Sequence, residues 1–476
     1  MGEIKKRILS IELVIFLLFA IRLIGITNPP LETSHSWRQC TGLMVARNFY
    51  EVDDSIFYPR IDDTAEGTGI IEMEFPFLYY IHYLISSIFG YSHWYGRLVN
   101  LIVSSFGLLF FAKTVRRLKF SEQMVFASTI ILGVSIWFSF SRKTMSDTFC
   151  ISFMFIGLYY ALHFLLTNKW RYLFFYVFFA TIGILSKIPA GIYLIVLLPF
   201  IRFAYPDDTI KTIIVKRRQS IILLLSTAIP LILTYAWYFL WNAHLMELSG
   251  TWYNIGIPFG AGFIAVVSHL HETLRHFCFD AFQGYAIFAV FLLGLLFAFL
   301  KKNRALIAIF LSVFGMYLLY IFKSGPFFYE QNYYIIPFVP AMALVAGYGV
   351  SIVPKQWIRV CIIAFTITEC VVNQQHDFFI KDSQTYKLTL ENVMDSISNP
   401  HEKIAINGNG NHQLIYFSHR KGWNSTNQQL ADANYVQNIA SRGCSYLVID
   451  KHTFPAYPKY KKIIFDNKDF VVAKIE

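Results

Sequence analysis

Charge is what this chain has least of. Only 15% of its 476 residues are charged, against about 25% in an average soluble domain. Acids are the scarcer sign, with 30 Asp and Glu against 41 Lys and Arg. That balance excludes a disordered chain, a coiled coil and a nucleic-acid arm, and it argues against an ordinary soluble enzyme. Cysteine is also scarce. The six, at 40, 150, 278, 361, 370 and 444, include no CxxC pair, so neither a zinc knuckle nor a disulfide framework is indicated. They read as buried thiols acting as small apolar residues. No internal repeat, Walker motif, Rossmann glycine pattern or HExxH occurs.

What the chain has in quantity is apolar surface. Hydrophobic residues make up 55% and aromatic residues 18%. Apolar runs recur at bilayer length, the pattern of a polytopic α-helical membrane protein. The first runs from Ile8 to Ile26 after Lys5-Lys6-Arg7. It is longer than a signal h-region and no small-residue cleavage site follows, so it reads as a retained span. Ten more cover 97–113, 122–140, 148–166, 172–186, 189–204, 219–241, 281–300, 305–322, 333–351 and 357–375. The stretch 75–90 is short and carries Tyr79, Tyr80, His82 and Tyr83, which suits a helix lying flat in the interface.

Positive charge supports that choice. With 75–90 flat, the inward side collects 19 of the 41 Lys and Arg residues, from Lys5-Lys6-Arg7 through Arg116, Arg117, Arg217, Arg218 and Lys301 to Arg359. If 75–90 spans instead, the later loops change sides and the positive-inside rule fails. The expectation is eleven spans, with the N-terminus in the cytoplasm and the C-terminus outside. The net charge of +11 then marks topology, and no nucleic-acid partner is needed.

This layout leaves three outward segments: 27–96, 242–280 and a tail from about 377. The tail alternates β-type runs (Lys403–Asn407, Leu414–Phe417, Tyr446–Asp450, Lys462–Phe465, Phe470–Ile475) with helical stretches. It reads as a small α/β domain. The expected division is 1–376 for the membrane module and 377–476 for the extracytoplasmic domain.

Ionisable groups at the outward ends of spans are costly to desolvate, so they are functional candidates. Glu32, His35 and Arg38 are spaced three apart, on one face of a helix that follows Pro29-Pro30; an interfacial anchor built on Trp37, Phe49 and Tyr50 is the competing reading. Tyr58-Pro59-Arg60 precedes Glu72-Met73-Glu74-Phe75-Pro76, and Glu74 could equally be a helix-dipole partner. Ser141-Arg142 leads to Asp147, and Lys187 precedes Pro189, each at an outward junction; lone cations there often snorkel. Tyr333 and Tyr334 close the set. Together they suit one chemistry. Cations hold a phosphate at headgroup level, a carboxylate deprotonates an acceptor hydroxyl, and aromatic rings stack on a sugar or line a lipid groove. No His/Asp cluster has ligand spacing, so a divalent metal is compatible but not indicated.

Several stretches resemble a known family. Tyr58-Pro59-Arg60 with Glu74-Phe75-Pro76 is similar to the first-loop motif of the aminoarabinose transferases that act on lipid A. Ser141-Arg142…Asp147 resembles a motif of the protein O-mannosyltransferases, and Lys187-Ile188-Pro189 resembles a K-x-P at the outer end of a later span. Both groups belong to the GT-C superfamily of polyprenyl-phosphate-sugar-dependent glycosyltransferases, whose layout the chain resembles along nearly its whole length. The resemblance implies an inverting transfer of one sugar from a polyprenyl-phosphate donor to a glycan, lipid or protein acceptor. The setting implied is the outer face of the membrane, such as the periplasmic side of a bacterial inner membrane. Glu32, His35, Glu74 and Asp147 are the catalytic candidates. Arg38, Arg142 and Lys187 are the donor-phosphate candidates, and Tyr58, Arg60, Tyr333 and Tyr334 line the substrate groove. In one respect the chain departs from the family: no acid lies between Glu32 and Glu51, where better-known members carry Asp. A polysaccharide polymerase or ligase using a pyrophosphate-linked oligosaccharide is the alternative, and a transporter ranks last.

Overall fold

The structure is a computed structural model that describes residues 10–203, 210–250 and 256–475, without the side chains of 210–216. The expected inward anchors Lys5, Lys6 and Arg7, and the side chains of Lys211 and Lys216, lie outside the described residues. The chain divides into two compact units. The first comprises Met1–Ile26, Arg97–Leu240 and Asn254–Phe378, the second Thr27–Gly96, Trp241–Tyr253 and Phe379–Glu476.

The first unit is helical. Among the described residues five helices are long and apolar enough to cross a membrane, or six if the bent pair Leu270–Asp280 and Tyr285–Leu300 counts as one. Together with the apolar side chains left exposed along them (Phe106, Leu225, Ile232, Leu296, Phe365), they make this an integral membrane protein. Several expected runs form shorter helices: Glu122–Val134, Trp170–Ser186 and Val339–Ser351. The run 189–204 opens as a 3-10 stretch, Ile188–Val196, before the helix Leu197–Phe203.

The centre of this unit is the helix Ser146–Thr167, of whose apolar window 83% is buried, against 11% for Gln356–Asn373. It packs against Trp170–Ser186 through two glycines. A Cβ on Gly157 would stand 3.1 Å from the Ala180 nitrogen, and one on Gly183 would stand 2.8 Å from the Cys150 oxygen. Such backbone-to-backbone packing replaces the hydrophobic drive that lipid removes. Because the two helices run in opposite directions from a short turn, the start of the first lies beside the end of the second.

The second unit holds a five-stranded sheet. Its strands are β1 (Lys403–Ile406), β2 (Gly422–Asn424), β3 (Cys444–Asp450), β4 (Ile463–Asp466) and β5 (Phe470–Lys474), in the order β2-β1-β3-β5-β4. β1 is parallel to β2 and β3, whereas β5 is antiparallel to β3 and β4. One expected strand is corrected. Residues 414–417 lie in the helix Gln413–Ser418, buried throughout, and the strand β2 follows instead. A short continuous apolar run has no period that separates a buried helix from a buried strand.

The same unit contains the helices Ser36–Glu51 and Phe77–Phe89. The second has 13 residues, about 20 Å of helix, less than the roughly 30 Å of a bilayer core.

Candidate active site

In the helical unit the structure brings together three nominated residues. Asp147 is buried in the first turn of Ser146–Thr167, where a carboxylate meets the positive end of the helix dipole. The turn before it is held by Asn100, whose amide donates to the carbonyls of Phe140 (3.1 Å), Lys143 (2.8 Å) and Met145 (3.1 Å). Lys187 ends the neighbouring helix in extended conformation, with Pro189 two residues on. That proline cannot continue the α-helix, so the chain leaves it here.

Lys187 Nζ lies 2.6 Å from Asp147 Oδ1 and 4.9 Å from the centre of the Tyr333 ring. The other carboxylate oxygen, Oδ2, is buried and has no hydrogen-bond partner among the described residues. Tyr333 and Tyr334 sit in the 3-10 turn Asn332–Ile335 with rings 5.0 Å apart. Tyr334 stacks on Tyr320 at 5.8 Å. A cation fixed between a carboxylate and an aromatic face, with one carboxylate oxygen open, can receive an anion and a proton.

Arg142 lies in the same unit with a different set of partners. Its guanidinium donates to the carbonyls of Ile24 and Asp377 and lies over Phe378 at 3.9 Å. Two groups that the sequence reading passed over lie in the same unit. Lys143 pairs with Asp377 at 3.3 Å, both buried. Arg22, fully buried at the end of the helix Ile11–Arg22, donates to Ser141 Oγ at 2.6 Å and to the Leu18 carbonyl. The signal for Arg22 was available, since an arginine inside an apolar span is unusual.

In the second unit Arg38 pairs with Glu74 at 3.2 Å, so two nominated residues form one couple, with the carboxylate buried. Glu32 accepts from the Gln39 amide. His35 precedes the helix Ser36–Glu51 in left-handed conformation at φ 55°. Arg60 is bound to Asp53 at 2.6 Å and to the Tyr58 carbonyl. The Ser55 N–H, with Arg60, keeps the Asp53 carboxyl below its ordinary value. Tyr58 joins Trp241 (5.6 Å) and His244 (6.5 Å) in an aromatic group.

Unforeseen in this unit is a buried pair, Arg47 with Asp62 at 2.5 Å, to which Asn48 adds a bond at 2.9 Å. His419 lies between Glu391 (2.6 Å) and Glu51 (3.1 Å), and the two carboxylates raise its imidazole to about 9. Among the described residues no group of three or more His, Cys, Asp or Glu could hold a metal ion.

Residues 74–233, a span that includes Glu74, Asp147 and Lys187, match the family of dolichyl-phosphate-mannose-protein mannosyltransferases. The fold is similar to that of ArnT from Cupriavidus metallidurans in the apo state, with a TM-score of 0.58, 12% identity and 97% of each chain covered. Bound to undecaprenyl phosphate, ArnT matches with a TM-score of 0.54, 10% identity, and 97% and 98% coverage. The Archaeoglobus fulgidus oligosaccharyltransferase, in complex with Zn and sulfate, matches with a TM-score of 0.56 and 13% identity, over 93% of this chain and 68% of that one. This is the GT-C fold. The matched family and the proteins of similar fold are glycosyltransferases, the class that the motifs imply. No curated protein matches the chain in sequence. Within the GT-C fold, the Asp147–Lys187 couple falls inside the segment that also matches by sequence.

Proposed function

We propose that this GT-C protein transfers one sugar from a polyprenyl-phosphate donor to an acceptor hydroxyl on the outer face of the membrane, with inversion at the anomeric carbon. The observation that carries the reading is the Lys187 ammonium fixed between Asp147 and the Tyr333 ring. In the reaction the bond from C1 to the phosphate oxygen breaks, and its electron pair leaves with the polyprenyl phosphate. Lys187 meets the charge that builds on that oxygen, an electrostatic role worth most where water is excluded. The acceptor oxygen forms the new bond to C1, and its proton passes to the open Oδ2 of Asp147. Bond formation at C1 makes the acceptor hydroxyl acidic enough for a weak base. Tyr333 and Tyr334 supply faces for the sugar or the prenyl chain.

A polyprenyl-phosphate donor is supported by the undecaprenyl phosphate bound in the similar ArnT structure and by the mannosyltransferase match. The eleven-span topology, with the tail 377–476 outside a bacterial inner membrane, completes the reading. Arg142 serves the framework in it, because its guanidinium is already bonded to two carbonyls. A second reading gives acceptor activation to Glu74, whose carboxylate pairs with Arg38 at 3.2 Å; loss of turnover in Glu74→Gln with full turnover in Asp147→Asn selects it. Supplying one labelled sugar on a monophosphate and on a pyrophosphate carrier separates this reading from a polymerase or ligase. Transfer from the monophosphate supports it, and transfer from the pyrophosphate alone overturns it.

A further inference from the structure

The sheet ends on one unusual strand. β1, β3 and β5 are mostly buried, whereas all four residues of β4 are exposed or half-exposed. β4 is outermost and pairs only with β5. Ile463 and Ile464 stand where the register to β5 shifts, and they are 44% and 38% exposed. Just before them stand Lys459, Lys461 and Lys462, all exposed, and none forms an ion pair among the described residues. No acid occurs between Asp450 and Asp466. Tyr460 fastens this stretch to the body through its hydroxyl, bonded to the Leu430 carbonyl at 3.2 Å.

Lysines beside an edge strand often serve only to prevent strand pairing. Here they precede the strand, and the strand itself leaves two adjacent isoleucines exposed. Unpaired lysines, tyrosines and bare aliphatic side chains in one short segment are the composition of an interfacial lipid-binding surface. The lysine stems would lie along the acyl boundary with their ammonium groups among phosphates, and an integral membrane protein always has lipid at hand.

We propose that residues 457–465 dock on anionic phospholipid headgroups. The proposal is independent of the catalytic reading, because its test reads amide exchange and not turnover. The full-length chain is placed in nanodiscs of phosphatidylcholine alone, or with phosphatidylglycerol added, and hydrogen exchange is followed by peptide. Amides of 459–466 are expected to exchange several-fold more slowly with phosphatidylglycerol, while those of Cys444–Asp450 do not change. The slowing is expected to shrink at high salt, which screens exposed charge, and to vanish in the triple variant K459Q/K461Q/K462Q. Equal exchange in the two discs overturns the proposal, as does slowing that persists in the triple variant. Slowing by added heparin, with none from phosphatidylglycerol, assigns the surface to an acidic glycan and overturns it too.

Discussion

Asp147 and Lys187 stand 40 residues apart in the chain, yet the carboxylate and the ammonium lie 2.6 Å from each other. Asp147 is nearly fully buried, and Lys187 is 17% exposed. Removing one partner leaves a desolvated charge, which costs more than removing both. Lys187→Gln is therefore expected to destabilise the protein by roughly 3 kcal/mol. The double variant Asp147→Asn/Lys187→Gln is expected to recover part of that loss. Thermal melts in detergent complete the cycle, and additive losses would show that the pair is not coupled.

The couple depends on how closely two helices approach. A side chain at Gly183 would meet the Cys150 carbonyl at 2.8 Å and the Met154 nitrogen at 3.1 Å. Neither is a flexible side-chain end, so the helices themselves must part. Gly183→Val is expected to lower both melting temperature and turnover, although the residue touches no substrate. A smaller change, Gly183→Ala, is expected to fall between. Wild-type turnover in the valine variant would show that the helix spacing does not set the site.

Arg142 tests the division between framework and chemistry. Its bonds to the Ile24 and Asp377 carbonyls and its stacking on Phe378 predict a structural loss in Arg142→Ala. Two carbonyls lose a donor, and the one on buried Asp377 is expected to cost about 1–3 kcal/mol. The folded fraction is expected to keep its KM for the donor. A large rise in KM with unchanged melting temperature would restore Arg142 to the donor phosphate.

His419 gives the second unit a pH dependence. Glu391 and Glu51 raise its folded-state value from 6.5 to about 9. The stabilisation is fully present below 6.5 and is lost as pH rises through about 9. Because the ring is 35% exposed, solvent screens the effect and the change in melting temperature is expected to be modest. His419→Gln is expected to flatten the melting profile between those limits, and an unchanged profile would contradict the assignment.

The helical, membrane-integral character was legible because apolar runs at bilayer length are a property of the sequence itself. The two ion pairs, one in each unit, were only half legible. Glu74, Arg38, Asp147 and Lys187 were each marked by scarce charge beside a span, but pairing is a product of packing. Gly157 and Gly183 bring Asp147 to Lys187, and nothing in the local sequence states that contact. The carbonyl partners of Arg142 were not legible either, since a cation bound to carbonyls and one bound to phosphate have the same neighbours in sequence. The helix Gln413–Ser418 was hidden because its buried residues form an unbroken run.

The most direct measurement is transfer of labelled sugar from a polyprenyl-phosphate donor by membranes carrying the chain, the Lys187→Gln variant or the Asp147→Asn variant. The account predicts transfer by the wild type and a loss of about 100- to 1,000-fold in each variant, the scale for removing one electrostatic partner of a transition state. Full transfer by both variants would contradict it.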